Sequence, residues 1–332
     1  MPDEFACLLV QRDGNKSITT SLERRPSREL PPGDVVVQVR LSSLNYKDAL
    51  GATGHRGIVR TFPHVPGIDA WGTVLESASP EFKIGQDVIV TGHELGVERW
   101  GGWSELIRVP AEWVLPIPEG LTGRECMQLG TAGFTAAQCV AALQLNGVTP
   151  DKGEVLVTGA TGGVASLAIK LLANLGYGVV ALTGKQDRAD WLKSLGALRI
   201  VGREELAPSE KPLLSARFAA GVDTVGGPVL ASLIKQISHR GTVACCGVAG
   251  GAELDLTVYP FILRGVTLAG IDSAWCPLKE RREIWSRLAQ EWRLEGLDDI
   301  TETVPLSEVM TVVDRMLAGK HTGRTLVDIS GR

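Results

Sequence analysis

The segment Glu154-Val-Leu-Val-Thr158 is a short apolar strand that runs directly into Gly159-Ala-Thr-Gly-Gly-Val-Ala165 and then into a helical pattern over Ser166–Leu175, with apolar residues at 167, 168, 171, 172 and 175. A strand-to-helix turn that must pass close to a pyrophosphate needs glycine, because a Cβ would stand between backbone and ligand. The helix that follows offers unpaired N–H groups and a partial positive charge to phosphate oxygens. A glycine pattern alone also fits an ordinary tight turn. Here it stands between strand and helix within a βαβ unit, which is the context that marks dinucleotide binding. Ala165 takes the third small position, where helix meets strand.

Strand and helix signals alternate around this turn. Strands are expected at Val179–Leu182, Val222–Val225, Val243–Cys246 and Val266–Gly270, and helices at Ala189–Leu195 and Leu230–Ile237. Parallel strands need helical crossovers, so the alternation predicts a doubly wound parallel sheet. The first 120 or so residues differ. Val35–Leu41, Ala70–Leu75, Asp87–Val90, Trp103–Val109 and Glu112–Ile117 are short runs between Gly and Pro turns, which predicts a β-rich domain. Thr135–Leu145 is rich in Ala and Leu and therefore helical. A helix near Leu306–Leu317 and a strand at Arg324–Ile329 close the chain.

The second strand of the dinucleotide unit bears on which cofactor binds. NAD binders usually end it with Asp or Glu, which holds the ribose hydroxyls. This chain has Val180-Ala-Leu-Thr-Gly-Lys185, with no acid before Asp187. Thr183 and Lys185, helped by Arg188 or Arg203, suit a 2′-phosphate, which points to NADP(H). The same residues could also be solvated loop charges.

Lys+Arg total 34 and Asp+Glu 38, a formal charge of −4, which argues against a nucleic-acid surface. No apolar run approaches the ~20 residues of a membrane span. Met1-Pro-Asp-Glu4 lacks the basic and apolar regions of a signal peptide, so a cytoplasmic protein is expected. None of the six cysteines forms a C-x-x-C pair, and Cys245-Cys246 sits in an apolar run where buried thiols act as small hydrophobes.

With Ser43-Leu-Asn-Tyr-Lys-Asp-Ala49, Val65-Pro-Gly-Ile-Asp69, Gly130-Thr-Ala-Gly-Phe-Thr-Ala136, the Gly159–Ala165 turn, Val222-Asp-Thr-Val-Gly-Gly227 and Gly323-Arg324, the chain resembles the medium-chain dehydrogenase/reductase superfamily over essentially its whole length. Asn45-Tyr-Lys-Asp48 and Thr183-Gly-Lys185 are similar to the acrylyl-CoA reductase-like group of its zinc-free quinone oxidoreductase branch. The resemblance implies an α/β fold with a GroES-like β-rich catalytic domain and an inserted Rossmann domain. The boundaries expected are residues 1–127, 128–275 and a return over 276–332. It also implies a homodimer, usually built through the Rossmann sheets. Cofactor contacts would come from Tyr46, Thr161, Gly162, Gly163, Val164, Thr183, Gly184, Lys185, Arg203, Val248, Ile262 and Ser273.

Zinc members of the superfamily carry a Cys ligand near position 45 and a Gly-His-Glu after the Pro-Gly turn. This chain has Asn45 and Gly67-Ile-Asp69. Isoleucine cannot ligate a metal, so no metal site is expected. Gly92-His-Glu94 lies after a different strand, and His93 is read as a loop or structural histidine.

Without a metal to polarise a carbonyl, the resemblance implies reduction of a C=C conjugated to a carbonyl, with acrylyl-CoA to propionyl-CoA the leading case. Tyr46 would be the acid or hydrogen-bond donor to the developing enolate, or a cofactor contact. Asn45 lies beside it, and Asp69 would either orient it or bond the nearby turn. The rival readings are an NADPH:quinone oxidoreductase and a non-catalytic NADPH- or RNA-binding protein.

Overall fold

The structure, a computed structural model, describes residues 1–14 and 17–330. The chain divides into two compact units. One holds Met1–Thr131, Ala274–Gln290 and the chain from Glu295 onward; the other holds Ala132–Ser273 and Glu291–Leu294.

The first unit begins with an antiparallel hairpin of β1 (Glu4–Arg12) and β2 (Ile18–Pro26). β3 (Val35–Leu44) follows, then the short helix α1 (Tyr46–Ala52), β4 (Asp69–Ser77), β5 (Asp87–Thr91), β6 (Leu106–Val109) and β7 (Val114–Pro116). Helix α2 (Gly123–Leu145) is interrupted at Gly130, and its residues from Ala132 onward belong to the second unit. Late in the chain the same unit gains α7 (Leu278–Ala289), β14 (Thr301–Pro305), α8 (Val309–Leu317) and β15 (Arg324–Asp328). Its main sheet runs β14-β15-β3-β4-β5-β7, with β6 also paired to β3. β3 is hydrogen-bonded to three neighbours, which explains why its β-branched start Val35-Val36-Val37 is buried throughout. Phe5, Leu44, Trp103, Ile107 and Val313 belong to the core of this unit.

The second unit carries β8 (Val155–Val157), α3 (Gly163–Asn174), β9 (Val179–Leu182), α4 (Ala189–Ser194), β10 (Arg199–Val201), β11 (Phe218–Asp223), α5 (Gly227–Lys235), β12 (Ile237–Cys245), α6 (Tyr259–Arg264) and β13 (Thr267–Gly270). The six strands run in the order β10-β9-β8-β11-β12-β13 and every neighbouring pair is parallel. The three β8 residues are fully buried, as expected of a central strand covered on both faces. Leu156, Val180, Phe218, Leu233 and Val243 form its core.

The expected parallel sheet is therefore present, but with a sixth strand, β10, that was not expected, and with β11 starting four residues before the expected Val222. The β1–β2 hairpin was not expected: Ile18-Thr-Thr-Ser-Leu-Glu-Arg-Arg-Pro26 is mostly polar with no buried residue, although its partner β1 is apolar and buried. Cys245 and Cys246 correct the reading of a buried pair: both are only half-buried, because they sit where β12 ends. Among the described residues no helix is long and apolar enough to cross a membrane.

Candidate active site

One edge of the first unit's sheet gathers the candidate catalytic residues. Thr325 lies opposite Leu44, Ser42 opposite Ala70, and Asp69 opposite Thr91. The start of β15, the end of β3, the start of β4 and the end of β5 thus fall in a row. Arg324, Asn45, Tyr46 and Asp69 belong to it.

Asp69 is fully buried and its carboxylate is saturated with donors. Oδ2 accepts from Ser43 Oγ at 2.5 Å and Asn45 Nδ2 at 2.8 Å. Oδ1 accepts from Thr131 Oγ1 at 2.6 Å, and the Thr131 N–H lies 3.0 Å from both oxygens. Tyr46 is not among its partners, so Asp69 makes no direct bond to the Tyr46 hydroxyl and meets Tyr46 only through its neighbour Asn45. The bland alternative, a structural hydrogen bond, describes what Asp69 does, although the segment it bonds is the α2 break and not the nearby turn.

Asp48 lies next to this group. Its Oδ1 accepts from the N–H groups of Gly67 and Ile68, at 3.1 and 2.8 Å, and its Oδ2 from the Asn45 N–H and side-chain amide, at 2.8 and 3.1 Å. Burial, and then the charge of Asp69, push Asp48 up to about 7, against the pull of these donors. Arg324, also buried, donates to the Gln128 carbonyl at 2.9 Å and to Leu44 O and Asn45 Oδ1, each at 3.3 Å. Burial lowers the pKa of its guanidinium, and Asp69 and then Asp48 offset only part of that.

Gly130 makes this arrangement possible. Its backbone (φ 51°, ψ −155°) lies where only glycine is comfortable, and a Cβ there would stand 2.6 Å from Asp69 Oδ2 and 2.9 Å from Arg324 Nη2. The break in α2 lets the Thr131 N–H turn to Asp69 and leaves the Gln128 carbonyl for Arg324.

Tyr46, the first residue of α1, is 45% exposed, and its hydroxyl bonds no described residue. Asn45 and Asp69 are thus joined in a buried framework, while Tyr46 stands on it with a free hydroxyl. Ser43, Thr131 and Arg324 complete the framework. Sequence spacing held no signal for Ser43 or Thr131, and Arg324 stood out only through the resemblance.

The second unit holds the candidate cofactor residues. Gly159 leaves β8 with φ +60°, and a Cβ on it would stand 2.6 Å from Thr224 Oγ1. Gly162 caps α3, whose first bond is from the Ser166 N–H to Gly162 O, so the N–H groups of Gly163 and Val164 have no partner within the helix. Thr161 precedes them. Thr183 follows β9 and is buried; its hydroxyl accepts the Lys185 N–H at 3.0 Å. The Arg203 guanidinium, just past β10, lies against Gly184, where a Cβ would come within 2.6 Å of Nε. Burial, and then Arg188, lower the Lys185 ammonium. Thr161, Thr183, Arg203, Val248 and Ser273 all follow the carboxyl ends of parallel strands, the edge at which such sheets bind ligands. Ile262 departs from this pattern. It lies on α6, which leads into the amino end of β13, and it is 68% exposed.

Residues 31–119 match the alcohol dehydrogenase GroES-like domain model and residues 163–314 the zinc-binding dehydrogenase model. Over 328 residues the chain is 44% identical to the acrylyl-CoA reductase AcuI of Ruegeria pomeroyi, covering 98% of this chain and 99% of that one. The YhdH oxidoreductase of Salmonella enterica, solved with NADP, superposes with a TM-score of 0.95 at 44% identity, over 97% of this chain and 99% of that one. Bacillus subtilis YhfP, solved with NAD, also gives 0.95, at 42% identity over 98% and 100%.

The chain belongs to the zinc-independent medium-chain dehydrogenases/reductases related to AcuI, YhdH and YhfP. It is an oxidoreductase, with the GroES-like and Rossmann-like domains that the sequence led one to expect. Asn45 and Ile68 stand where zinc relatives bear ligands, and among the described residues no group of three or more His, Cys, Asp or Glu side chains could hold a metal ion. The donor set does not fit zinc.

Because the pKa of Asp48 is raised on folding, its contribution favours the native state fully below about pH 4 and is lost as pH rises through about 7. Asp48→Asn, which cannot accept all four hydrogen bonds, should destabilise the protein. In urea titrations from pH 4 to 8 the penalty should be largest at the acid end and narrow as pH rises. A penalty that widens with pH would contradict the raised pKa.

Proposed function

We propose that this chain is an NADPH-dependent reductase of the C=C bond of an α,β-unsaturated acyl thioester, with acrylyl-CoA as the leading substrate and propionyl-CoA as product. The observation that carries this reading is the unpartnered Tyr46 hydroxyl, exposed on a rigid, metal-free framework. The similarity to the Ruegeria acrylyl-CoA reductase supports the substrate class. Bound NADPH supplies a hydride to the carbon β to the carbonyl. Tyr46 donates its O–H to the carbonyl oxygen as negative charge develops there, which is the task zinc performs elsewhere in the superfamily. Asn45 fixes the start of α1, and with it Tyr46, through its bonds to Asp48 and Asp69. Asp69 and Arg324 are positioning residues.

Tyr46→Phe keeps the ring, so stability should change little. Turnover with acrylyl-CoA at saturating NADPH should fall by about 10²–10³, the usual cost of one oxyanion donor. Unchanged turnover with weakened NADPH affinity would make Tyr46 a cofactor contact. Wild-type protein that oxidises NADPH with benzoquinone but not with acrylyl-CoA would replace the thioester reading with the quinone one.

The cofactor assignment rests on Thr183, Lys185 and Arg203 after strands that carry no terminal acid. The NADP-bound YhdH structures support it, and the NAD-bound YhfP structure makes it worth testing. Lys185→Ala should weaken NADPH by about 1.5–3 kcal/mol and leave NADH nearly unchanged. An equal loss for both, measured by fluorescence titration, would remove Lys185 from the 2′-phosphate.

We also propose a cytoplasmic homodimer. None of the six cysteines is joined in a disulfide, as is usual in a reducing compartment. β13 is an edge strand, and Val258, Tyr259, Ile262 and Leu263 are exposed just before it, an apolar set suited to a second copy. This reading moves Ile262 from cofactor to interface. Sedimentation equilibrium at micromolar concentration should give twice the chain mass; a monomer would contradict it.

A further inference from the structure

β11 ends in an acid, Asp223, at the carboxyl edge of the parallel sheet, the edge where such sheets present groups to a ligand. Its carboxylate is turned inward. The residue is fully buried, Oδ1 accepts the Thr158 hydroxyl at 2.7 Å, and Oδ2 accepts the Gly226 N–H at 2.7 Å. Its carbonyl takes the Cys246 N–H at 2.9 Å, which ties the end of β11 to the end of β12. Burial pushes the carboxyl pKa up, and the bonds from Thr158 and from the N–H groups of Gly226 and Val225 pull it back. Asp223 thus serves the framework, and the ribose-binding acid missing after β9 is not replaced here.

The Thr158 hydroxyl stands at the centre of this arrangement. Thr158 follows β8, is fully buried, and directly precedes Gly159. Its oxygen accepts the Thr224 N–H at 3.0 Å, and its one proton goes to Asp223. Thr224 returns its own hydroxyl to the Thr158 carbonyl at 2.9 Å. The ends of two neighbouring strands are therefore joined twice. The Thr224 hydroxyl also covers Gly159, where a Cβ would stand 2.6 Å from Oγ1 and 3.1 Å from Val225 Cγ2. Beyond it the Ala160 N–H donates to the Leu182 carbonyl at 3.0 Å, and the Gly162 N–H closes back on Gly159 O at 2.8 Å. The path of the turn is set at its first residue, and it ends at the N–H groups of Gly163 and Val164 that open α3. A polar group buried at the end of an apolar strand needs a reason, since valine at 158 would fill the same space without desolvation.

We propose that Asp223, Thr158 and Thr224 are positioning residues for cofactor binding. They hold the backbone of residues 159–162 in the path that presents the Gly163 and Val164 N–H groups to the pyrophosphate of NADPH. This rests on the reading of that turn as the pyrophosphate site. None of the three needs to touch the cofactor.

The test separates the pyrophosphate from the rest of the cofactor. NADPH and adenosine 2′-monophosphate, which keeps the adenine, ribose and 2′-phosphate but has no pyrophosphate, are titrated calorimetrically against each protein. Thr158→Val keeps the side chain's shape and removes the hydroxyl. It should lose about 10-fold in NADPH affinity and bind adenosine 2′-monophosphate within twofold of wild type. Thr158→Ser, which keeps the hydroxyl, should retain wild-type NADPH affinity. If Thr158→Val does not fold, Thr224→Val, which removes the bond to the Thr158 carbonyl, carries the same comparison. Equal losses for the two ligands, no loss, or no rescue by serine would overturn the positioning role and leave these residues parts of the fold alone. Gly162→Asp judges the turn itself, because a negative charge there should weaken NADPH far more than adenosine 2′-monophosphate. An equal effect would remove the turn from the pyrophosphate and the proposal with it. A selective effect beside an unselective Thr158→Val would keep the turn and refute the positioning role.

Discussion

Two carboxylates and one guanidinium, all removed from water, set the geometry of the first unit. Isolated charges in that position would be strongly unfavourable, and they are tolerated because almost every lone pair and N–H is matched. Asp69 takes donors from β3, from Asn45 and from the broken helix α2. Arg324 enters from β15 and returns hydrogen bonds to the end of β3 and the carbonyls before the break. The cluster therefore ties together segments far apart in sequence, and a change in any one of them leaves a buried charge short of partners. Such a framework holds a side chain such as Tyr46 in place without touching its hydroxyl.

The same economy explains how the site dispenses with a metal. Zinc would polarise a carbonyl by its charge. Here the positive charge available is Arg324, and it is spent on the framework, buried and out of reach of a substrate. What faces outward is the Tyr46 phenol. Neutral donors stabilise a charge that develops during reaction more than one already present, which suits conjugate reduction, where the oxygen becomes anionic only as the hydride arrives.

Much of the second unit was legible in the sequence, because parallel strands buried on both faces must be continuous apolar runs and the turn after β8 must be glycine-rich. Val179–Leu182 falls where the pattern put it. The strand β2 was hidden by its exposure, since strands that face water carry little hydrophobic signature, whereas its partner β1 is a buried apolar run that the local reading passed over. Of the site, Asn45, Tyr46 and Asp69 were legible as candidates, but not their division of labour. Asp69 has Thr131 as partner, 62 residues away, and Arg324 reaches Asn45 across 279 residues. Pairings of that kind are set by strand register and by a break at Gly130, neither of which a local pattern encodes. His93 was set aside as a metal ligand for reasons of spacing, and the bond of its neighbour Gly92 to Ile68 emerged only from the pairing of β4 with β5.

The most direct test of the account is the fate of a label. Acrylyl-CoA reduced with NADPH carrying deuterium at the transferable nicotinamide C4 position, by protein dialysed against a strong chelator, should give propionyl-CoA with one deuterium at the carbon β to the carbonyl. The proton at the α-carbon should come from solvent. No saturated thioester, deuterium at the α-carbon, or activity lost with the metal chelated would contradict a metal-free conjugate reduction built on Tyr46 and its buried framework.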